Sequence, residues 1–256
     1  MKKNHIKFSK YTVMIFWIIS SHHLTFADER FEKANTYYSE GKFQDAIEVY
    51  EEILKTGMES PEIYYNLGNA YYRNGYLPSA ILNYERAALL APHDKNISYN
   101  LDLAYSQIAD KIEKIDDFFL NRWFASLRSS TNSDNWAIIS IFLFILTLTG
   151  FFFYFFSQTL IIRKISFYLA ILFIIGSVVT FSFSYEQKQR LQNRNRAIIF
   201  SPSVTVRSSP DRSGTELFVL HEGTRVKILQ ILGEWYEVEL EDGSRGWMPK
   251  SGLEVI

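Results

Sequence analysis

The sequence predicts a multidomain membrane protein made of an all-α repeat solenoid, a two-helix transmembrane hairpin and a small all-β barrel, in that order. Three observations predict it. Two blocks of 21 residues, 136–156 and 165–185, contain no charged side chain. Before them, residues 28–110 repeat at an interval of 34. After them, residues 197–256 break into short β-rich runs separated by turn signals.

At ~1.5 Å per residue each apolar block reaches ~31 Å as a helix, close to the ~30 Å of hydrocarbon in a bilayer. A buried pair of soluble helices is the competing reading, but core helices keep a polar face and these blocks do not. The eight-residue linker 157–164 carries Arg163 and Lys164. A linker this short makes the spans an antiparallel hairpin, and its charge puts the turn in the cytoplasm. Trp136 and Tyr185 bracket one interface, Tyr154 and Tyr168 the other. No ionisable group lies within either block, so the spans read as an anchor rather than a proton or ion path. The juxtamembrane linker 186–196 holds Lys188, Arg190, Arg194 and Arg196, and with Arg122 and Arg128 a literal charge count would invert the hairpin. The N-terminal export segment takes precedence over that count.

That segment is residues 1–27, with the layout of a signal peptide. Lys2, Lys3, Lys7 and Lys10 precede an apolar run at 13–19, and Thr25-Phe26-Ala27 offers small residues at −3 and −1. Cleaved after Ala27, or kept as an anchor, it exports everything from residue 28. The chain is 47% hydrophobic with a net charge of −1, which points to no nucleic acid. It has no cysteine, which excludes disulfides, thiol catalysis and thiolate metal sites.

In the repeat, Tyr37-Tyr38 aligns with Tyr71-Tyr72, Gly41 with Gly75, Ala46-Ile47 with Ala80-Ile81, Tyr50 with Tyr84, and Tyr65-Asn66-Leu67 with Tyr99-Asn100-Leu101. With Tyr64, Leu67, Gly68, Tyr71, Ala80, Tyr84, Ala87 and Pro92 at its signature positions, the second copy resembles a tetratricopeptide repeat. Residues 28–110 then hold two full repeats and one extra helix. Gly68 and Ala80 are small where paired helices approach, and most signature residues pack. The concave face of such a solenoid should present Asn35, Tyr38, Asn66, Asn69, Tyr72, Arg73 and Asn100 to a peptide or a partner's tail. Asn35 and Asn66 match the amides that relatives use to clamp a C-terminal carboxylate. Phe31, Asn96 and Asn100 stand where the cations belong, so a carboxylate clamp is not expected. Seven basic against fourteen acidic residues, net −7 over 28–110, favour a basic or neutral partner. Acidic pairs such as Glu51-Glu52 read as a solvated helix face. The segment 111–135 is amphipathic through residue 127, with two readings: a cap on the repeats, or a helix on the outer membrane surface.

In the last segment, strands are expected at 204–206, 216–220, 225–232, 235–240 and 245–248, with a tight turn at 241–244. Residues 204–210, Glu222-Gly223-Thr224, Gly233-Glu234-Trp235-Tyr236-Glu237-Val238, Asp242-Gly243 and Gly246-Trp247 together resemble a bacterial SH3 domain. The resemblance implies a groove at Trp235, Trp247 and Pro249. Gly252 falls where the groove tyrosine would lie, which argues against polyproline binding. Relatives in the envelope bind cell-wall peptides or proteins, and both stay open here.

His93 and His221 are the only histidines outside the leader and fall in separate domains. No phosphate loop, zinc-protease or serine-hydrolase motif occurs, so neither enzyme nor cofactor is expected. The order of leader, repeats, two spans and SH3-like barrel resembles the BatE-type proteins of bacterial aerotolerance operons. That resemblance implies a scaffold in the plasma membrane with its repeat and SH3-like modules on the extracytoplasmic side. It also implies work beside von Willebrand factor A-domain membrane proteins and a MoxR-type ATPase; membrane lipid and peptidoglycan are the other expected contacts.

Overall fold

The computed structural model describes residues 29–112, 119–192 and 195–256, so the leader and parts of the 111–135 and 186–196 segments lie outside the described residues. Two compact units result. One joins the helices up to Ile112 with Arg196–Ile256; the other holds the described residues between them.

Five helices open the first unit: α1 (29–39), α2 (Phe43–Lys55), α3 (Pro61–Arg73), α4 (Leu77–Leu90) and α5 (Lys95–Tyr105). Their ends obey the 34-residue period. Ser60 caps α3 by accepting from Ile63 N–H at 3.2 Å, and Asp94 caps α5 by accepting from Asn96 N–H at 2.8 Å. The turns after α1 and α3 use Gly41 at φ +77 and Gly75 at φ +85, a left-handed conformation that a side chain would strain. Ala34, Ala46, Ile47, Tyr50, Ile53 and Leu67 form the core of the first repeat. Gly68 packs so tightly on the Tyr84 ring that a Cβ there would sit 2.7 Å from two ring carbons.

The C-terminal part is an antiparallel sheet of β1 (Arg196–Ile199), β2 (Ser203–Arg207), β3 (Glu216–His221), β4 (Arg225–Leu232), β5 (Trp235–Glu239), β6 (Arg245–Pro249) and β7 (Leu253–Val255). Its order is β3-β2-β6-β5-β4-β1-β7, and β3 and β7 do not pair, so the expected closed barrel of five strands is an open sheet of seven. The reason lies in contacts between distant parts of the chain. Residues 196–199 and 253–255 pair with each other and add an edge beside β4. At the end of β3 the His221 N–H donates instead to Asp110 of the helical segment, at 2.7 Å. Ala197, Ile199, Val206, Val226, Val238 and Met248 form the buried core of the sheet.

These two parts share a core. Ile198 and Ile256 of the sheet are buried together with Ala80, Ile81, Leu82 and Tyr84 of α4 and Ala104 of α5, with Ile108 and Phe200 packed against them. Among the described residues, the last helices of the solenoid are therefore covered by the sheet domain.

In the second unit, α6 (Phe119–Arg128) precedes α7 (Ser133–Phe156) and α8 (Leu160–Gln192). Asn132 caps α7 by accepting from Asn135 N–H at 2.9 Å. The turn is residues 157–159, shorter than the 157–164 read from the sequence, and α8 continues well past Tyr185. Small residues form the helix–helix seam: Ser140 Oγ donates to Ser177 O at 2.9 Å, Ser177 Oγ to Ser140 O at 3.0 Å, and Gly150 faces Ala170. Trp136, Thr147 and Thr180 are buried as well, but most of the large apolar side chains point outward, with Phe142 60% and Leu172 61% exposed. Both helices are long and apolar enough to cross a membrane, and an exposed apolar surface of this kind is what lipid would cover.

Gly68→Ala should destabilise the first unit by about 1–3 kcal/mol, because the Tyr84 ring has nowhere to move in a filled core. A urea titration followed by circular dichroism checks it; an unchanged midpoint would mean the helices can part at no cost.

Candidate functional site

The seven residues predicted for the solenoid face are brought together in groups. Asn35 Oδ1 accepts from Tyr50 Oη at 2.6 Å and from Asn66 Nδ2 at 3.0 Å. One repeat later, Asn69 Oδ1 accepts from Tyr84 Oη at 2.7 Å and from Asn100 Nδ2 at 2.9 Å. The same three-residue clasp is built twice, and it crosses between successive helix pairs. Burial pushes the Tyr50 phenol up to about 12, so it remains a proton donor at neutral pH. Tyr38 stacks edge-on to Phe43 at 5.4 Å, and the Arg73 guanidinium lies over the same ring at 5.1 Å. Tyr72 accepts from the Gln107 amide. Arg73 is exposed, and the other six are half-buried. The Asn35 and Asn69 oxygens and the Asn66 and Asn100 amide nitrogens are thus engaged within the scaffold. The exposed member of the face is Arg73, lying over Phe43 beside Tyr38.

In the sheet domain, Trp235 sits opposite Pro249, Glu237 opposite Trp247, and Glu239 opposite Arg245. Tyr236, Val238 and Met248 alternate with them toward the core. Trp235, Trp247 and Pro249 therefore share the outer face of β5 and β6, half-buried, with carboxylates between them. Arg245 Nε donates to Glu239 at 2.7 Å and Lys227 Nζ to the same carboxylate at 3.1 Å.

A third group was not legible as a site in the sequence. At the solenoid–sheet junction Glu85, only 4% exposed, accepts from the Tyr105 hydroxyl at 2.6 Å and pairs with Arg225, which also pairs with Glu241. Arg86 donates to Val255 O at 2.9 Å and pairs with Glu254 at 3.1 Å. Asp110 accepts from the His221 N–H at 2.7 Å and from the Thr224 hydroxyl at 2.7 Å, with the His221 ring Nδ1 2.8 Å away. Burial works against the Asp110 charge, but these hydrogen bonds outweigh it and hold its carboxyl below the ordinary 3.8. The one available signal was Glu85, an acid beside the Ala80–Leu82 core run. Among the described residues no three His, Asp or Glu side chains converge as metal ligands would.

Comparison with known families agrees with these parts. Residues 34–75 match the family described as TPR repeat, residues 61–94 the family described as tetratricopeptide repeat, and residues 202–254 the family described as bacterial SH3 domain. The chain carries tetratricopeptide repeats and a bacterial SH3 domain. Both are domain types that bind proteins, and the SH3 type also occurs in cell-wall binding. Among curated proteins none matches the chain.

Because the Asp110 carboxyl is depressed in the folded state, its stabilising effect is complete above 3.8 and is lost as pH falls through the lowered value. Asp110→Ala should cost about 1–3 kcal/mol at pH 7 and remove part of the acid sensitivity seen in the parent chain. Denaturant titrations of both proteins from pH 7 to pH 2 check it; parallel pH profiles would show that Asp110 does not hold the junction.

Proposed function

We propose that this chain is a non-enzymatic, membrane-anchored scaffold of the bacterial envelope that gathers protein partners through its repeats and its SH3 domain. One observation carries the reading: Ile81 and Ala104, before the two apolar helices, share a buried core with Ile198 and Ile256, after them. Such a core cannot form across ~30 Å of hydrocarbon, so an even number of crossings must separate the two halves. Two spans between Ile112 and Arg196 satisfy that requirement as a hairpin. The exposed apolar surfaces of α7 and α8 support the anchor, and the SH3 domain favours the extracytoplasmic side.

Two interaction surfaces then project from one rigid head. The Tyr38-Phe43-Arg73 cluster and the Asn35, Asn66, Asn69, Tyr72 and Asn100 face suit an extended peptide segment. The net charge of −7 on the repeats favours a basic or neutral one. The domain order supports placing the scaffold in an aerotolerance or envelope-stress complex, beside von Willebrand factor A-domain membrane proteins and a MoxR-type ATPase. A second reading rests on the outward-facing Trp235, Trp247 and Pro249: aromatic platforms of this kind suit the sugar and peptide faces of peptidoglycan.

Topology is tested by single cysteines, since the chain has none of its own. Ser98→Cys and Ser203→Cys should both react with an impermeant maleimide on spheroplasts, and Gln158→Cys should react only after lysis; labelling at one end alone would end the hairpin reading. For partners, crosslinking in cells followed by capture of the full chain should recover membrane proteins, with about tenfold less on Tyr38→Ala combined with Arg73→Ala. Equal capture would remove the repeat face from the mechanism. Pelleting of the solubilised full chain with purified sacculi, lost on Trp235→Ala with Trp247→Ala, would favour the cell-wall reading.

A further inference from the structure

The ten-residue helix α6 is fixed at one end and exposed along one face. Its last residue, Arg128, accepts through its backbone oxygen from the Trp136 indole N–H at 2.8 Å and from the Gln187 amide at 2.7 Å, and Gln187 also donates to Thr131 O at 2.9 Å. The Arg128 guanidinium pairs with Glu186. These contacts tie the end of α6 to the first turn of α7 and to the stretch of α8 just beyond Tyr185. That is the level at which both helices change from apolar to polar.

From that tether the side chains of Trp123, Phe124 and Leu127 fall on one side of the helix at spacings of one, three and four, and are 58%, 48% and 38% exposed. Phe119, a turn earlier on the same side, is 62% exposed. Ala125 lies on the opposite side. Trp123, Phe124 and Leu127, exposed on a helix that starts from the rim of an apolar surface, continue that surface.

We propose that α6 lies in the lipid–water interface, with Trp123, Phe124 and Leu127 immersed among the acyl chains at the headgroup boundary. The occupant of its apolar face is the bilayer into which α7 and α8 insert. The proposal rests on the anchoring of α7 and α8 in a bilayer. Its geometry is that of an interfacial amphipathic helix: a short apolar face rich in Trp and Phe, with the cationic Arg128 at the polar boundary. Clipped to both spans, such a helix would add to Trp136 and Tyr185 in fixing the height and tilt of the hairpin.

The test uses the full chain in vesicles of phosphatidylethanolamine and phosphatidylglycerol. A nitroxide is attached in turn to Trp123→Cys, Leu127→Cys and Ala125→Cys, with Leu172→Cys in mid-span and Ser98→Cys on the repeats as references. Collision with oxygen reports lipid, and collision with a soluble nickel chelate reports water. The oxygen-to-nickel ratio at residues 123 and 127 is expected to be several-fold above that at 125, and between the ratios at 172 and 98. Ratios at 123 and 127 equal to that at 98 would overturn the proposal. Protection of both from oxygen and nickel alike would also overturn it and show a protein surface, from this chain, a second copy or another protein, on that face. A water-like ratio at Leu172 would instead sink the anchoring itself, and with it the placement of α6.

Discussion

The architecture depends on one constraint, the apolar core in which α4 and α5 meet β1 and the end of the sheet. A solenoid of two repeats and one further helix leaves an apolar flank with no helix to stack on it, and repeats need neighbours because none buries its own face alone. Here Ile198, Phe200 and Ile256 serve as that neighbour. The polar groups around the core are arranged to make this pairing specific. Glu85 lies deep enough that leaving it unpaired would be costly, and Arg225 from the sheet answers it. Asp110 and Arg86 do the same at the rim, one accepting from His221 and Thr224, the other donating to Val255. Apolar burial holds the two parts together, and the ion pairs set their register.

Much of the fold could be read in advance because it follows from local rules. The 34-residue period placed the helices, and the capping residues and turn glycines repeat with it. The two uncharged blocks marked α7 and α8, and the turn at 241–244 marked the β5–β6 hairpin. What escaped was long-range. Residues 196–199 follow a basic run and have no alternation that distinguishes a strand from a linker, so β1 became visible only through its pairing with β4 and β7. The sheet was expected to close because small β domains of this composition often do. It stays open because part of its edge is bonded to the helices.

The candidate sites divide in the same way. Trp235, Trp247 and Pro249 were expected as a group from the resemblance to a bacterial SH3 domain, and only the register of β5 against β6 puts them on one face. The asparagines of the solenoid were legible as polar residues on the first helix of each repeat, but not as partners of Tyr50 and Tyr84, because those tyrosines belong to other helices. Glu51-Glu52 read as a solvated pair. Glu52 is exposed, but Glu51 is half-buried and accepts from the Tyr71 hydroxyl. One period later the equivalent bond joins Tyr105 to Glu85. A sequence reports that an acid lies on a helix face, and only the fold decides whether that face meets water.

Arg86 and Glu254 are 168 positions apart, and the apolar hairpin lies between them. During synthesis the repeats therefore emerge long before the strands that finish them. In the interval Ala80, Ile81 and Ala104 lack their cover, and loops of this length close slowly. In the anchored chain proposed above, this core could close only after both spans have been made.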